Sequence, residues 1–119
     1  MVVENDPVLR KVICELLRRE GIQVLAQPSN GAEALSALKT MSPDVILTDR
    51  DMPDLDGIQL VQRVRAQGNQ VPIVMLSGQT EPQAVALATA AGVNRYLAKP
   101  ITGELLTMAL RQAYLCHAA

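Results

Sequence analysis

Apolar and polar positions along the chain fall into two alternating patterns. Five short runs, at 1–3, 22–26, 45–48, 71–76 and 96–98, are mostly apolar. Several are continuous rather than alternating, as expected of strands covered on both faces of a parallel sheet. Between them the apolar residues recur at helical spacing. After Asp6-Pro7, a capping residue and a proline suited to the first helical turn, Leu9, Val12, Ile13, Leu16 and Leu17 repeat at three and four, up to Gly21. Ala32, Leu35 and Leu38 predict a second helix behind Asn30-Gly31, and Ile58, Val61 and Val64 a third that ends near Gly68. An alanine-rich fourth helix is predicted from Glu81 to Ala91, closed by Gly92. A fifth starts at Thr102, with Leu105, Leu106, Ala109 and Leu110 facing inward.

Five alternations of strand and helix predict an α/β fold: a doubly wound, five-stranded parallel sheet with five helices, joined by right-handed crossovers. At this size the expected strand order is 2-1-3-4-5, the flavodoxin-like arrangement, whose ligands sit beyond the carboxyl ends of the strands. The fourth helix has few large side chains to anchor it, so it is expected to shift at modest cost.

Composition narrows the function. The chain has 119 residues, enough for one domain, and neither a repeat nor a linker divides it. Eleven Lys and Arg against twelve Asp and Glu give a formal net charge of -1, so no basic field exists to hold nucleic acid or an anionic membrane. No apolar run approaches the ~20 residues of a membrane span, and no export signal is visible. Cys14 and Cys116 form neither a disulfide framework nor a metal-ligand spacing, which points to a reducing, cytoplasmic setting.

The strand ends carry the candidate chemistry. Glu4, Asn5 and Asp6 follow the first run, Asp49 the third, Ser77 the fourth and Lys99 the fifth, all at one sheet edge. With strands ~4.8 Å apart, Asp49 is expected about one spacing from Glu4 and Asn5 and about one from Ser77. Clustered carboxylates need a raised pKa or a cation between them, and hard Mg2+ suits such oxygen ligands. The free oxygen of Asp49 is then a nucleophile toward phosphorus, with Ser77 and Lys99 binding the phosphoryl oxygens.

These residues carry a resemblance. The chain resembles the receiver domains of two-component response regulators in Val2-Val3-Glu4-Asn5-Asp6-Pro7, in the stretch from Pro43 to Asp49 running on through Met52-Pro53-Asp54-Leu55-Asp56-Gly57, in Leu76-Ser77-Gly78, and from Gly92 to Pro100. The resemblance covers essentially the whole chain, so residues 1–119 are expected to form a single receiver domain. It implies that Asp49 takes a phosphoryl group from a phosphohistidine on a histidine kinase or histidine phosphotransfer domain. It also implies that Glu4, Asn5, Asp49 and the backbone carbonyl of Asp51 hold Mg2+, that Lys99 pairs with the phosphoryl group, and that the Lys99-Pro100 bond is cis. Ser77 and Tyr96 are the implied switch residues, which repack the surface of the fourth helix, last strand and fifth helix toward a downstream effector or a second copy of the chain. Where the family usually has Asp, Asn5 brings one less negative charge, so weaker Mg2+ binding is expected. Asp6 substitutes only if the strand slips by one residue, and its place before Pro7 favours capping. Asp51 and Gln79 are expected to line the mouth of the site and to tune its rates.

Blander roles remain beside these: a turn or cap for Asp49, a solvated strand end for Glu4 and Asn5, a turn serine for Ser77, a surface lysine for Lys99, half-buried packing for Tyr96. Asp54 and Asp56 belong to a turn and helix start where Gly57 supplies backbone freedom, Cys14 is a small helix residue, and His117 lies in a tail. Two other functions compete. Asp49-Arg50-Asp51 also resembles the Asp-x-Asp motif of haloacid-dehalogenase-type phosphatases, which need a further acidic motif where this chain has only Glu104. A pseudo-receiver that binds partners without phosphorylation is supported by Asn5 alone. Nothing after the fifth helix resembles an output domain, and the chain opens almost inside its first strand, so either a stand-alone regulator or a trimmed receiver is expected.

Overall fold

The computed structural model describes residues 1–118, of which residues 117 and 118 are described in backbone only. In chain order the elements are β1 (Val2–Val3), α1 (Pro7–Arg19), α2 (Gly31–Ala37), β2 (Ile46–Asp49), α3 (Gly57–Ala66), β3 (Ile73–Ser77), α4 (Pro82–Ala91), β4 (Arg95–Ala98) and α5 (Gly103–Ala118). The four strands pair in parallel in the order β1-β2-β3-β4. This is the expected α/β parallel sheet with five helices, one strand short of the expected five.

The missing strand is the run at 22–26. It lies along the free edge of β1, where Ala26 O accepts Val2 N at 3.1 Å and Pro28 O accepts Glu4 N at 3.2 Å. A parallel ladder also needs the return bond, from the N–H of residue 28 to Val2 O. Pro28 has no N–H, so the ladder cannot close and the segment stays an irregular edge.

Side chains alternate between the two faces of the strands. Val3, Ile46, Ile73 and Met75 pack with Leu60, Val61, Val64 and Ala88 under α2, α3 and α4. Val2, Leu47, Val74 and Leu76 pack with Ile13, Leu17, Leu106 and Leu110 under α1 and α5, where Cys14 is also buried. Continuous apolar strands are thus accounted for, because both faces need filling.

The helix starts follow local chemistry. Asp6 Oδ1 accepts Val8 N at 2.9 Å and Leu9 N at 3.3 Å, Asn30 Oδ1 accepts Glu33 N at 2.8 Å, and Asp56 forms a reciprocal capping box with Gln59. Thr102 Oγ1 accepts Leu105 N at 3.2 Å. Helix α4 has no side-chain cap and buries only Ala84 and Ala88, while Leu87 is exposed. Both of its buried residues are alanines, as its alanine-rich composition predicts. Among the described residues no helix is long and apolar enough to cross a membrane.

Candidate functional site

The register aligns the strand ends. Val3 pairs with Thr48, which brings Glu4 level with Asp49, while Asp49 pairs with Leu76 and Ser77 with Ala98. Lys99 follows at once, its backbone N–H donating to Ser77 O at 2.9 Å. The runs at 1–3, 45–48, 71–76 and 96–98 therefore deliver the residues that follow them to one edge.

Asp49 is 4% exposed, and its Oδ1 pairs with Lys99 Nζ at 2.7 Å. The Lys99 ammonium, although partly buried at a cost to its charge, keeps a pKa above the ordinary lysine value because Asp49 hydrogen-bonds and attracts it. Glu4 is 2% exposed; Asp6 N donates to its Oε1 at 3.2 Å, and Oε2 has no partner. Burial first, and the charge of Asp49 second, push the Glu4 carboxyl from 4.5 to about 7. Two carboxylates thus share one ammonium, and one buried oxygen is left bare. A buried acceptor without a partner costs free energy, and a hard cation there removes that cost.

Asn5 is exposed at the bend after Glu4. Asp6 is committed to capping α1, so the strand does not slip. The Asp51 carbonyl accepts no hydrogen bond among the described residues, and the exposed Asp51 carboxylate accepts Gln79 Nε2 at 3.0 Å across the mouth. Among the described residues no three His, Cys, Asp or Glu side chains cluster closely enough to hold a metal. A cation here would need amide or backbone oxygens and its own waters, as Mg2+ ordinarily keeps. The residues present fit that ion.

Ser77 is fully buried, and its Oγ accepts Gln79 N at 2.9 Å. Tyr96 is half-buried; its hydroxyl donates to Gln79 O at 2.6 Å and accepts from Arg50 Nη1 at 3.1 Å. Lys99-Pro100 is cis.

Two features escape the sequence reading, and a third has a different physical reason from the one expected. Arg50 is 8% exposed: it donates to Ala84 O at 2.7 Å and lies 5.9 Å over the Tyr96 ring. A basic residue beside a strand-end Asp reads as surface, and only its place directly after an apolar run hinted otherwise. Arg10 Nη1 donates to Glu4 O at 2.7 Å, fixing the acidic strand end from α1. Gly57 is required for close approach and not, as expected, for backbone freedom. Its φ is not positive, whereas Asp54 takes φ 66°. A Cβ at 57 would overlap Asp49 O and stand 2.8 Å from Arg50 Cα, because Gly57 N donates to Arg50 O at 2.8 Å.

Comparison with known proteins places the chain in a family. Residues 1–111 match the response regulator receiver domain family. The chain is 41% identical over 103 residues to a protein-glutamate methylesterase/protein-glutamine glutaminase of a Nocardioides species, covering 84% of this chain and 28% of that protein. It is 36% identical over 111 residues to the transcriptional regulatory protein CseB of Streptomyces avermitilis, covering 93% of this chain and about half, 46%, of that protein. Against chemotaxis protein CheY1 of Helicobacter pylori the identity is 33% over 109 residues, covering 89% of this chain and 88% of that protein. Among solved structures, the receiver domain of a Francisella response regulator superposes with a TM-score of 0.91 at 28% identity, covering 98% of this chain and 95% of that one.

Proposed function

The chain belongs to the response regulator receiver domain family, a family of signalling domains, and from that premise we propose that Asp49 is its phosphoryl acceptor and residues 1–119 its single functional unit. One observation carries this: the buried Asp49 carboxylate at the tip of a central strand, paired with Lys99 at 2.7 Å beside the bare, buried oxygen of Glu4. Family membership weighs against both the phosphatase and the phosphorylation-independent readings.

In the transfer, an Asp49 oxygen forms a bond to phosphorus as the P–N bond of a partner's phosphohistidine breaks, and the imidazole leaves. The Lys99 ammonium stays charged and neutralises the added negative charge at the phosphoryl oxygens. Ser77 Oγ, now an acceptor from Gln79, can donate to the same oxygens. Glu4, Asp49, the Asn5 amide oxygen and the Asp51 carbonyl would hold Mg2+, which when bound supplies charge neutralisation between acceptor and donor phosphate. Hydrolysis of the acyl phosphate resets the domain, and the Asp51–Gln79 pair at the mouth of the site tunes its rate. Partners are a histidine kinase or histidine phosphotransfer domain as donor, and an effector, or a second copy of the chain, that reads the α4, β4 and α5 surface. A cytoplasmic location accords with such partners.

Acetyl phosphate labelling with and without Mg2+ tests the acceptor. Wild type should gain one acid-stable, base-labile phosphoryl group only with the metal, and Asp49→Ala none. Equal labelling of the two proteins would refute the assignment.

A further inference from the structure

Helix α4 buries little, yet two arginines grip its ends. At its carboxyl end Arg65 donates through Nε and Nη2 to Gly92 O at 3.2 and 2.8 Å, through Nη1 to Asn69 O and Val71 O, and through Nη2 to Asn94 Oδ1. At its amino end Arg50 Nη1 donates to Ala84 O at 2.7 Å and to the Tyr96 hydroxyl at 3.1 Å. Every Arg65 partner except Asn94 Oδ1 is a backbone oxygen. Arg50 divides its bonds between the helix and the Tyr96 hydroxyl.

Arg50 is a buried cation without a counter-ion: among the described residues no carboxylate lies within ion-pair distance of it, and its charge is carried by a carbonyl, a hydroxyl and an aromatic face. Such a group cannot lose an acceptor without replacing it. Its hydroxyl partner is tied to the acceptor corner, because Tyr96 donates to Gln79 O at 2.6 Å and Gln79 N donates to Ser77 Oγ at 2.9 Å.

We propose that Arg50 is a positioning residue that couples the acceptor corner to α4: when the Ser77–Gln79 segment moves and Tyr96 shifts, Arg50 moves with the hydroxyl and releases the first turn of α4, while Arg65 keeps the far end as a pivot. The loaded half of this proposal rests on Asp49 as acceptor; the resting half does not.

With only two tyrosines, Tyr96 and Tyr114, fluorotyrosine labelling gives two 19F signals, and Tyr96→Phe identifies one. Amide exchange at Val85 and Gly92, whose N–H groups bond to Glu81 O and Ala88 O, reports the two ends of α4. The probe is beryllofluoride with Mg2+, a stand-in for the phosphoryl group. In wild type, loading should shift the Tyr96 signal and speed Val85 exchange about ten-fold, leaving Gly92 unchanged. In Arg50→Met, Val85 should already exchange about ten-fold faster at rest and no longer respond to loading, although the Tyr96 signal still moves. Tyr96→Phe should keep Val85 protected at rest and lose the response. A wild-type loading response in either variant, or unchanged resting exchange in Arg50→Met, overturns the coupling. If wild type neither takes label nor shifts on loading, the acceptor assignment fails instead, and resting exchange in Arg50→Met still decides whether Arg50 holds α4.

Discussion

Two corners of the molecule hold charge in opposite ways, one around the half-buried Arg65 and one around the buried Asp49. Around Arg65 one guanidinium makes five hydrogen bonds to four oxygens, tying the end of α3 to the loop before β3 and the end of α4. Around Asp49 two buried carboxylates face a single ammonium, and an oxygen of Glu4 is left without a partner. The first corner is saturated, so it has one arrangement and nothing to offer a ligand. The second is under-satisfied, so it is poised to bind a cation and to respond to one. Stability and function are placed apart, at opposite ends of the sheet.

Removing the saturated corner should cost most. Arg65→Met leaves the Gly92, Asn69 and Val71 carbonyls without their charged donor, and bonds to charged groups are among the stronger ones. Denaturant titration should show a loss of about 3 to 4 kcal/mol. The fraction still folded should take label on Asp49 as wild type does; a labelling defect there would mean that the corners are not independent.

Next in size is a change that strikes the poised corner through its backbone. A methyl group at Gly57 overlaps Asp49 O, and the loop from Arg50 must retreat to admit it. Gly57→Ala should cost about 2 to 3 kcal/mol and slow acetyl phosphate labelling. Unchanged labelling with unchanged stability would show that the loop yields freely.

The under-satisfied corner should reveal itself by a reversed pH dependence. With a pKa near 7 against an ordinary 4.5, folded Glu4 binds more protons than unfolded Glu4 between those values. Its contribution to metal-free stability is therefore full below about pH 4.5 and is lost as the pH rises to about 7, the opposite of a salt-bridged carboxylate. Glu4→Gln keeps an oxygen for Asp6 N without the charge, and at pH 8 without metal it should be more stable than wild type by about 2 kcal/mol. Saturating Mg2+ should erase or invert that advantage. Equal stability of the two proteins at pH 8 would show that Glu4 carries no uncompensated charge.

These contrasts were unevenly legible in the chain. Glu4, Asp49, Ser77 and Lys99 stand out because each directly follows an apolar run, and a parallel sheet carries such residues to one edge. The run at 22–26 lies along β1 as its apolar pattern predicts but is not a regular strand, because ladder closure depends on one N–H that Pro28 lacks. Arg50 was invisible for a different reason: the groups that hold it lie 34 and 46 residues away, at Ala84 and Tyr96. Gly57 was noticed but credited with torsional freedom, since close approach to Asp49 O is a tertiary fact. Periodicity foretells faces and edges; it does not foretell which distant carbonyl a buried cation will meet.

The smallest expected effect separates a ligand from a bystander in the poised corner. Asn5 is exposed, so a negative charge placed there stays hydrated and costs little without metal. If the Asn5 side chain coordinates Mg2+, Asn5→Asp replaces a neutral oxygen by a charged one at contact distance, and affinity should rise about ten-fold, or about 1.4 kcal/mol. A contact of that kind is poorly screened, so the gain should persist at 1 M salt. If Asn5 merely stands nearby, its new charge acts through water across several ångströms, and any gain should vanish at that ionic strength, where the screening length is about 3 Å. Calorimetric Mg2+ titrations of both proteins at low and high salt, at pH 8 so that Glu4 is ionised throughout, distinguish the two cases. A salt-resistant gain makes Asn5 a ligand, and a gain lost in salt removes it from the set and leaves Glu4 and Asp49 as the only side chains on the ion.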